Sequence, residues 1–244
     1  MVTHYPSAAI SCTEVAPYTA HVSQVEVGDS RYTYSDSTMH VLKNVHISAQ
    51  LMENFLQLAR NNTNKDLETC GVLGASLREE TFYATTLIIP KQESTSSSCQ
   101  AVNEADIFNI QNDRSLLPVG WIHKAKALTE LLIFHFPDAS FSELFYVIDR
   151  SAHAISISGN RLSFAVVMQV MVPEAIAIVV APTDKTRNYG IFRLTDPSGM
   201  DVLKECGEKG FHAHRDSDDG RPLYEQCSHV YINPNLRFEI FDLR

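Results

Sequence analysis

From Val41 onward the chain alternates short β-branched or apolar runs with short amphipathic stretches, and the alternation keeps no regular strand–helix–strand period. A doubly wound parallel sheet or an α/β barrel needs that period. Its absence predicts an α+β domain with a mixed, three-layer arrangement. Strands are predicted at 67–73, 81–90, 116–123, 172–181, 189–194 and 237–243, where β-branched and aromatic residues cluster. One helix is predicted after Ser48, which suits an N-cap, with Leu51, Met52, Phe55, Leu58 and Ala59 at helical spacing and Asn61-Asn62 as its stop. A second follows Asn103 and carries Ile107, Phe108 and Ile110. A third covers 200–206. The Ser/Thr-rich stretch 92–100 reads as a loop. No internal repeat is present.

Residues 1–40 are rich in Ser, Thr, Tyr and small residues, with only a weak alternation at 22–27, and read as a disordered tail. With 29 acidic and 20 basic residues the net charge is −9, which argues against nucleic acid and anionic membrane surfaces as partners. No run of about 18 apolar residues exists, so no membrane span is expected. The amino terminus has no secretory signal pattern. Five scattered cysteines (Cys12, Cys70, Cys99, Cys206, Cys227) are an odd set that does not suggest a disulfide framework, and a reducing, cytoplasmic setting fits them.

Residues 124–168 behave differently. Of these 45 positions, 25 are apolar, against 44% for the whole chain, and five of the twelve Phe lie here. Helical spacing at Leu128-Leu131-Leu132 and Phe141-Leu144-Phe145-Ile148 is broken at Ser156-Ile157-Ser158-Gly159.

Four groups of residues carry chemistry. His123 ends a predicted strand, and a strand-end imidazole is a rigidly supported zinc donor; a hydrogen-bonded structural His fits the same position. Glu68 enters a buried strand, where a carboxylate serves as a general base; a surface Glu is the plain alternative. Cys206, His212 and His214 form Cys-x5-His-x-His, a thiolate–imidazole set suited to tetrahedral zinc but not spaced as a zinc finger. An exposed turn near Gly210 is the competing reading. Cys227 and His229 are close enough in sequence to compete as ligands.

The strings Leu67-Glu68-Thr69-Cys70-Gly71-Val72-Leu73 and Val119-Gly120-Trp121-Ile122-His123 resemble the JAMM (MPN-plus) metalloprotease domain. So do residues 87–95, Pro173-Glu174-Ala175-Ile176-Ala177-Ile178-Val179, Tyr189-Gly190-Ile191-Phe192-Arg193-Leu194-Thr195, 206–214 and 238–244. More narrowly they resemble the AMSH-like ubiquitin isopeptidases, the plant short form above all. The likeness covers about 41–123 and 169–244. It implies an MPN fold over 41–244, a mixed curved sheet flanked by helices, interrupted at 124–168. It also implies a zinc-activated water that hydrolyses isopeptide bonds in extended polyubiquitin. Zinc lowers the pKa of its water toward about 7, and a nearby carboxylate shuttles the proton. By resemblance Glu68 is that carboxylate and His123 the first zinc ligand. Cys206, His212 and His214 match three ligands of a second, structural zinc. Phe211 matches a region that touches the proximal ubiquitin; a Phe packed beneath the zinc loop is the alternative. Endosomal sorting factors are the implied partners, and endosome association the implied location. Residues 1–40 are too short and polar for the helical domain through which such proteins often dock.

The pattern then departs. Where the family has a second His, this chain has Ala125, and the Ser-x-x-Asp that supplies a third ligand is absent. A fourth ligand of the second zinc falls in the same replaced stretch. His135, Asp138, Asp149 and His153 are the substitutes that 124–168 offers. The abrupt loss and return of likeness predicts a replaced exon or a read-through intron. Sequencing transcripts across 124–168 tests this, and finding that nearly all of them encode the segment refutes it.

Overall fold

The computed structural model describes residues 41–96, 99–102, 104–124, 155–157, 160–162, 164–181, 189–206 and 214–244. Along the chain these form β1 (Asn44–Ser48), α1 (Leu51–Asn64), β2 (Thr69–Arg78), β3 (Thr81–Ile89), β4 (Gln92–Ser94), β5 (Cys99–Ala101), α2 (Glu104–Asp113) and β6 (Leu117–Lys124). They continue as β7 (Ile155–Ile157), β8 (Asn160–Leu162), α3 (Phe164–Met171), β9 (Ile176–Val180), β10 (Tyr189–Leu194), α4 (Ser198–Glu205), β11 (Tyr224–Gln226), β12 (Val230–Asn233) and β13 (Glu239–Asp242). The main sheet runs β11-β10-β9-β6-β2-β3-β1-β12, with β13 also on β3. It is mixed: β2 is antiparallel to β3 and β6, while β6 and β9 are parallel, as are β3 and β13. One edge of β3 hosts two strands in tandem, β1 at Thr81–Tyr83 and β13 at Thr86–Ile89.

Two register shifts bend the sheet at the same point. β2 slips against β3 between Gly74 and Ala75, and against β6 between Leu73 and Gly74. The second slip leaves Val119 as an extra residue on β6, between Pro118, opposite Gly74, and Gly120, opposite Leu73. A bulge is where an interior strand tolerates proline, and it increases local twist.

Alternating side chains fill two cores, one on each face. Ile176, Ile178 and Val180 of β9 join Leu51 and Phe55 of α1 and Ile107 of α2, whereas Ala177 and Val179 join Trp121, Phe192 and the α4 residues Met200, Val202 and Leu203. A fully buried Leu, Ile or Phe contributes ~1.5–3 kcal/mol relative to exposure, so the period-two pattern of the strands dictates three layers. The expected α+β, three-layer class is the observed one.

Several local expectations change. α1 continues to Asn64 rather than stopping at Asn61-Asn62, because the Asn62 amide donates outward, to Glu68 O and Thr69 Oγ1, both at 3.1 Å. Its cap residue is Gln50, and Ser48 Oγ instead accepts from the Gln50 N–H at 3.3 Å. The predicted strand 172–181 shortens to Ile176–Val180, since Val172 N–H still bonds Met168 O and Pro173 then ends the helix. The loop 92–100 contains the hairpin strands β4 and β5. The short strands β1, β11 and β12 lack a long apolar run and were not predicted.

Of the atypical stretch, Lys124 ends β6 with 3% exposure, and β7 and β8 pair on either side of 158–159. Phe164–Met168 opens α3, whose Ala165, Val166, Val167 and Met168 are buried. Next to them, Gln169 makes a two-way amide contact with the Leu194 backbone, at 2.8 and 3.0 Å. The segment is therefore back in the core by residue 165. The tail 1–40, the helical spacings at 128–148, the Asn103 cap and the substitutes at 135, 138, 149 and 153 lie outside the described residues. No helix among the described residues is long and apolar enough to cross a membrane.

Candidate functional site

β2 and β6 place Glu68 beside His123. Cys70 and His123 are register partners, so Glu68, just before β2, sits level with the end of β6. His123 Nε2 lies 3.0 Å from Glu68 Oε2, and the side chains are 1% and 5% exposed. The backbone on both sides holds them: Glu68 N–H donates to Thr95 O at 2.9 Å, and its carbonyl accepts from Asn62. The imidazole shares a sheet face with Trp121, ring centroids 6.1 Å apart. A carboxylate and an imidazole at this distance, screened from water, can pass one proton between Oε2 and Nε2.

A catalytic zinc takes three protein donors and keeps an open position. The described residues bring two groups together here, and no set of three His, Cys, Asp or Glu side chains among them is placed to hold a metal. The alternate position beyond His123 is Ala125, which has no donor atom. The donor set of the described residues does not fit a catalytic zinc.

Beside Glu68 stands a thiol pair that sequence reading missed. Cys70 Sγ and Cys99 Sγ are 3.0 Å apart across β2 and β5. Gln92 braces both: its Oε1 accepts from Cys70 N–H at 3.0 Å and from Cys99 Sγ at 2.9 Å, and its Nε2 donates to Cys70 O at 3.2 Å. The shared hydrogen bond splits the two thiols. With burial it drives Cys70 well above the usual thiol range, and with a Ser94 hydrogen bond it brings Cys99 below it. The two cysteines are 29 residues apart, one in β2 and one in β5, so nothing local in the sequence marks the pair.

Cys206 and His214 border residues 207–213, so Phe211 and His212 lie outside the described residues. Neither of the two competitors belongs to a metal-binding set among the described residues. His229 is buried with Nε2 3.1 Å from Glu174 O, and burial pushes its pKa down. Burial raises the Cys227 thiol to about 12, so it stays protonated at neutral pH and makes a poor ligand. Because the folded value lies above the ordinary 9.0, the neutral thiol favours the fold below pH 9, and that contribution fades as pH climbs from 9 toward about 12. Urea unfolding at pH 8 and pH 10.5 should show a smaller alkaline loss in Cys227→Ala than in the parent. An equal loss in both would contradict the assignment.

Residues 40–133 match the family model described as JAB1/Mov34/MPN/PAD-1 ubiquitin protease. The chain is 51% identical over 242 residues to AMSH-like ubiquitin thioesterase 2 of Arabidopsis thaliana, covering 98% of this chain and 97% of that protein. It belongs to the AMSH-like ubiquitin thioesterase family. To AMSH-like ubiquitin thioesterase 1 of the same plant it is 48% identical over 200 residues, 82% of this chain and 34% of that one. STAM-binding protein of Rattus norvegicus is 36% identical over 208 residues, 85% and 41% of the two chains. This AMSH-like chain thus spans nearly all of the first relative and well under half of the other two. The fold matches the MPN expectation, and Glu68 and His123 stand 3.0 Å apart.

Proposed function

We propose that this AMSH-like chain is a deubiquitinating isopeptidase by family whose written sequence leaves the reactive centre incomplete, so that it engages polyubiquitin but cuts it slowly or not at all. The isopeptidase reading rests on the family. The deficit rests on one observation: Glu68 and His123 form a buried two-group pair at the end of β6, and two residues further on the sequence has Ala125, which carries no donor atom. A single imidazole and a carboxylate do not hold a catalytic zinc. Glu68 keeps the general-base position and His123 the position of the first ligand. Cys206, His212 and His214 are the donors for a second, structural zinc, a thiolate–imidazole set that suits that metal. Phe211, between Gly210 and His212, is the aromatic contact for ubiquitin. The STAM-binding relative supports endosomal sorting factors as partners and endosome association as the location.

One preparation tests the reading. Zinc per chain and cleavage of purified polyubiquitin are measured for the full chain and for Glu68→Gln. The expected result is about one tightly held zinc, binding to polyubiquitin, and cleavage indistinguishable from the Glu68→Gln control. Cleavage that chelators quench and Glu68→Gln abolishes would mean that 124–168 completes the centre. Insoluble protein that takes up no zinc would point to a non-functional product instead.

A further inference from the structure

We propose that Cys70 and Cys99 form a reversible redox site: peroxide converts the pair to a disulfide that ties the β4–β5 hairpin to β2 beside Glu68. The geometry carries this. The two sulfurs are 3.0 Å apart, closer than ordinary sulfur contact, although 29 residues separate them in the chain. A disulfide needs about 2 Å between sulfurs, so closure requires an approach of only about 1 Å. The partners are preset from two sides. Gln92 fixes the backbone of Cys70 and the sulfur of Cys99 with one carboxamide, and Ser94 Oγ donates to Cys99 Sγ at 3.5 Å. Cys206, just after α4, and Cys227, just after β11, lie elsewhere in the chain.

The chemistry balances with one peroxide. Cys99 sulfur, the more easily ionised of the two, attacks a peroxide oxygen. The O–O bond breaks, the departing hydroxide takes a proton to leave as water, and Cys99 becomes a sulfenic acid. Cys70 sulfur then attacks that sulfur. The S–S bond forms, the S–O bond breaks, and the Cys70 proton leaves with the hydroxyl as a second water. Two thiols lose two hydrogens and two electrons, and hydrogen peroxide becomes two waters. A thiol reductant reverses the link by exchange.

The consequence is local. Thr95 O, which accepts the Glu68 N–H, lies in the chain between β4 and β5, so the link clamps the segment that holds Glu68 in place. The link forms whether or not the chain holds metal or cleaves polyubiquitin, so its test is independent of the proposed function.

The experiment uses the full chain, reduced and then freed of reductant. It is exposed to a modest excess of hydrogen peroxide, denatured, alkylated and mapped by mass spectrometry. Alkylatable thiols should fall from the five of the sequence to three. One Cys70–Cys99 cross-linked peptide should appear, about 2 Da lighter than its reduced halves, and dithiothreitol should restore all five thiols. The oxidised chain should melt higher by about 5 °C or more, since a closed loop of this length restricts the unfolded chain. Five thiols after peroxide, a link between other cysteines, or sulfinic acid at Cys99 without a link would each overturn the proposal. The map is read on the unmutated chain, so no variant has to fold. In Cys99→Ser, Cys70 should stay alkylatable, and a new Cys70 link there would also count against the site.

Discussion

Gly120→Ala should lose about 3–5 kcal/mol of stability in urea unfolding. Gly120 follows the bulge on β6 and pairs with Ile176 of β9. A Cβ built there stands 2.2 Å from the Ile176 carbonyl oxygen, and the residue has φ +154°. The obstacle is backbone of a neighbouring central strand, not the tip of a side chain, so relief requires β6 and β9 to separate. Three residues farther along β6 lies His123, and the same displacement should loosen its contact with Glu68. Gly220 is the control. Its φ of +71° also disfavours a side chain, but nothing lies within 4 Å of the added carbon, so Gly220→Ala should cost only about 1 kcal/mol. Equal losses at the two positions would show that backbone conformation, not the β6–β9 approach, governs Gly120.

His123→Ala should cost about 3–5 kcal/mol, whereas Glu68→Gln should cost about 1 kcal/mol or less. The first change leaves a carboxylate that is 5% exposed facing a void where its partner stood. The second keeps a hydrogen-bonding amide of the same shape against the imidazole. A large penalty for one change and a small one for the other identifies a buried pair that stabilises the fold whatever its catalytic yield. If His123→Ala loses under about 1 kcal/mol, water reaches Glu68 freely and the site is more open than its burial implies. The contrast also guards the cleavage assay: Glu68→Gln is a sound control because it should remain folded.

Much of the site was legible from the chain. Glu68 and His123 stand out in the sequence, because a carboxylate entering one apolar run and an imidazole ending another are visible as residues. The lack of a regular strand–helix–strand period points to a mixed, three-layer α+β domain. Short strands escaped notice for a physical reason: β5, β11 and β12 are three or four residues long and owe their pairing to neighbours rather than to their own composition. The end of α1 was misjudged similarly, since Asn62 looks like a breaker in sequence but spends its amide on the start of β2.

The list of donors is written in the chain: one imidazole at 123, a carboxylate at 68, no donor at 125, and the ordered strings that mark the family. Which of those groups meet is settled by the fold. Glu68 and His123 are 55 residues apart and Cys70 and Cys99 are 29 apart, yet each pair closes to 3.0 Å. Those meetings come from strand register and from a hairpin folded back on β2, long-range hydrogen bonding that local composition does not encode.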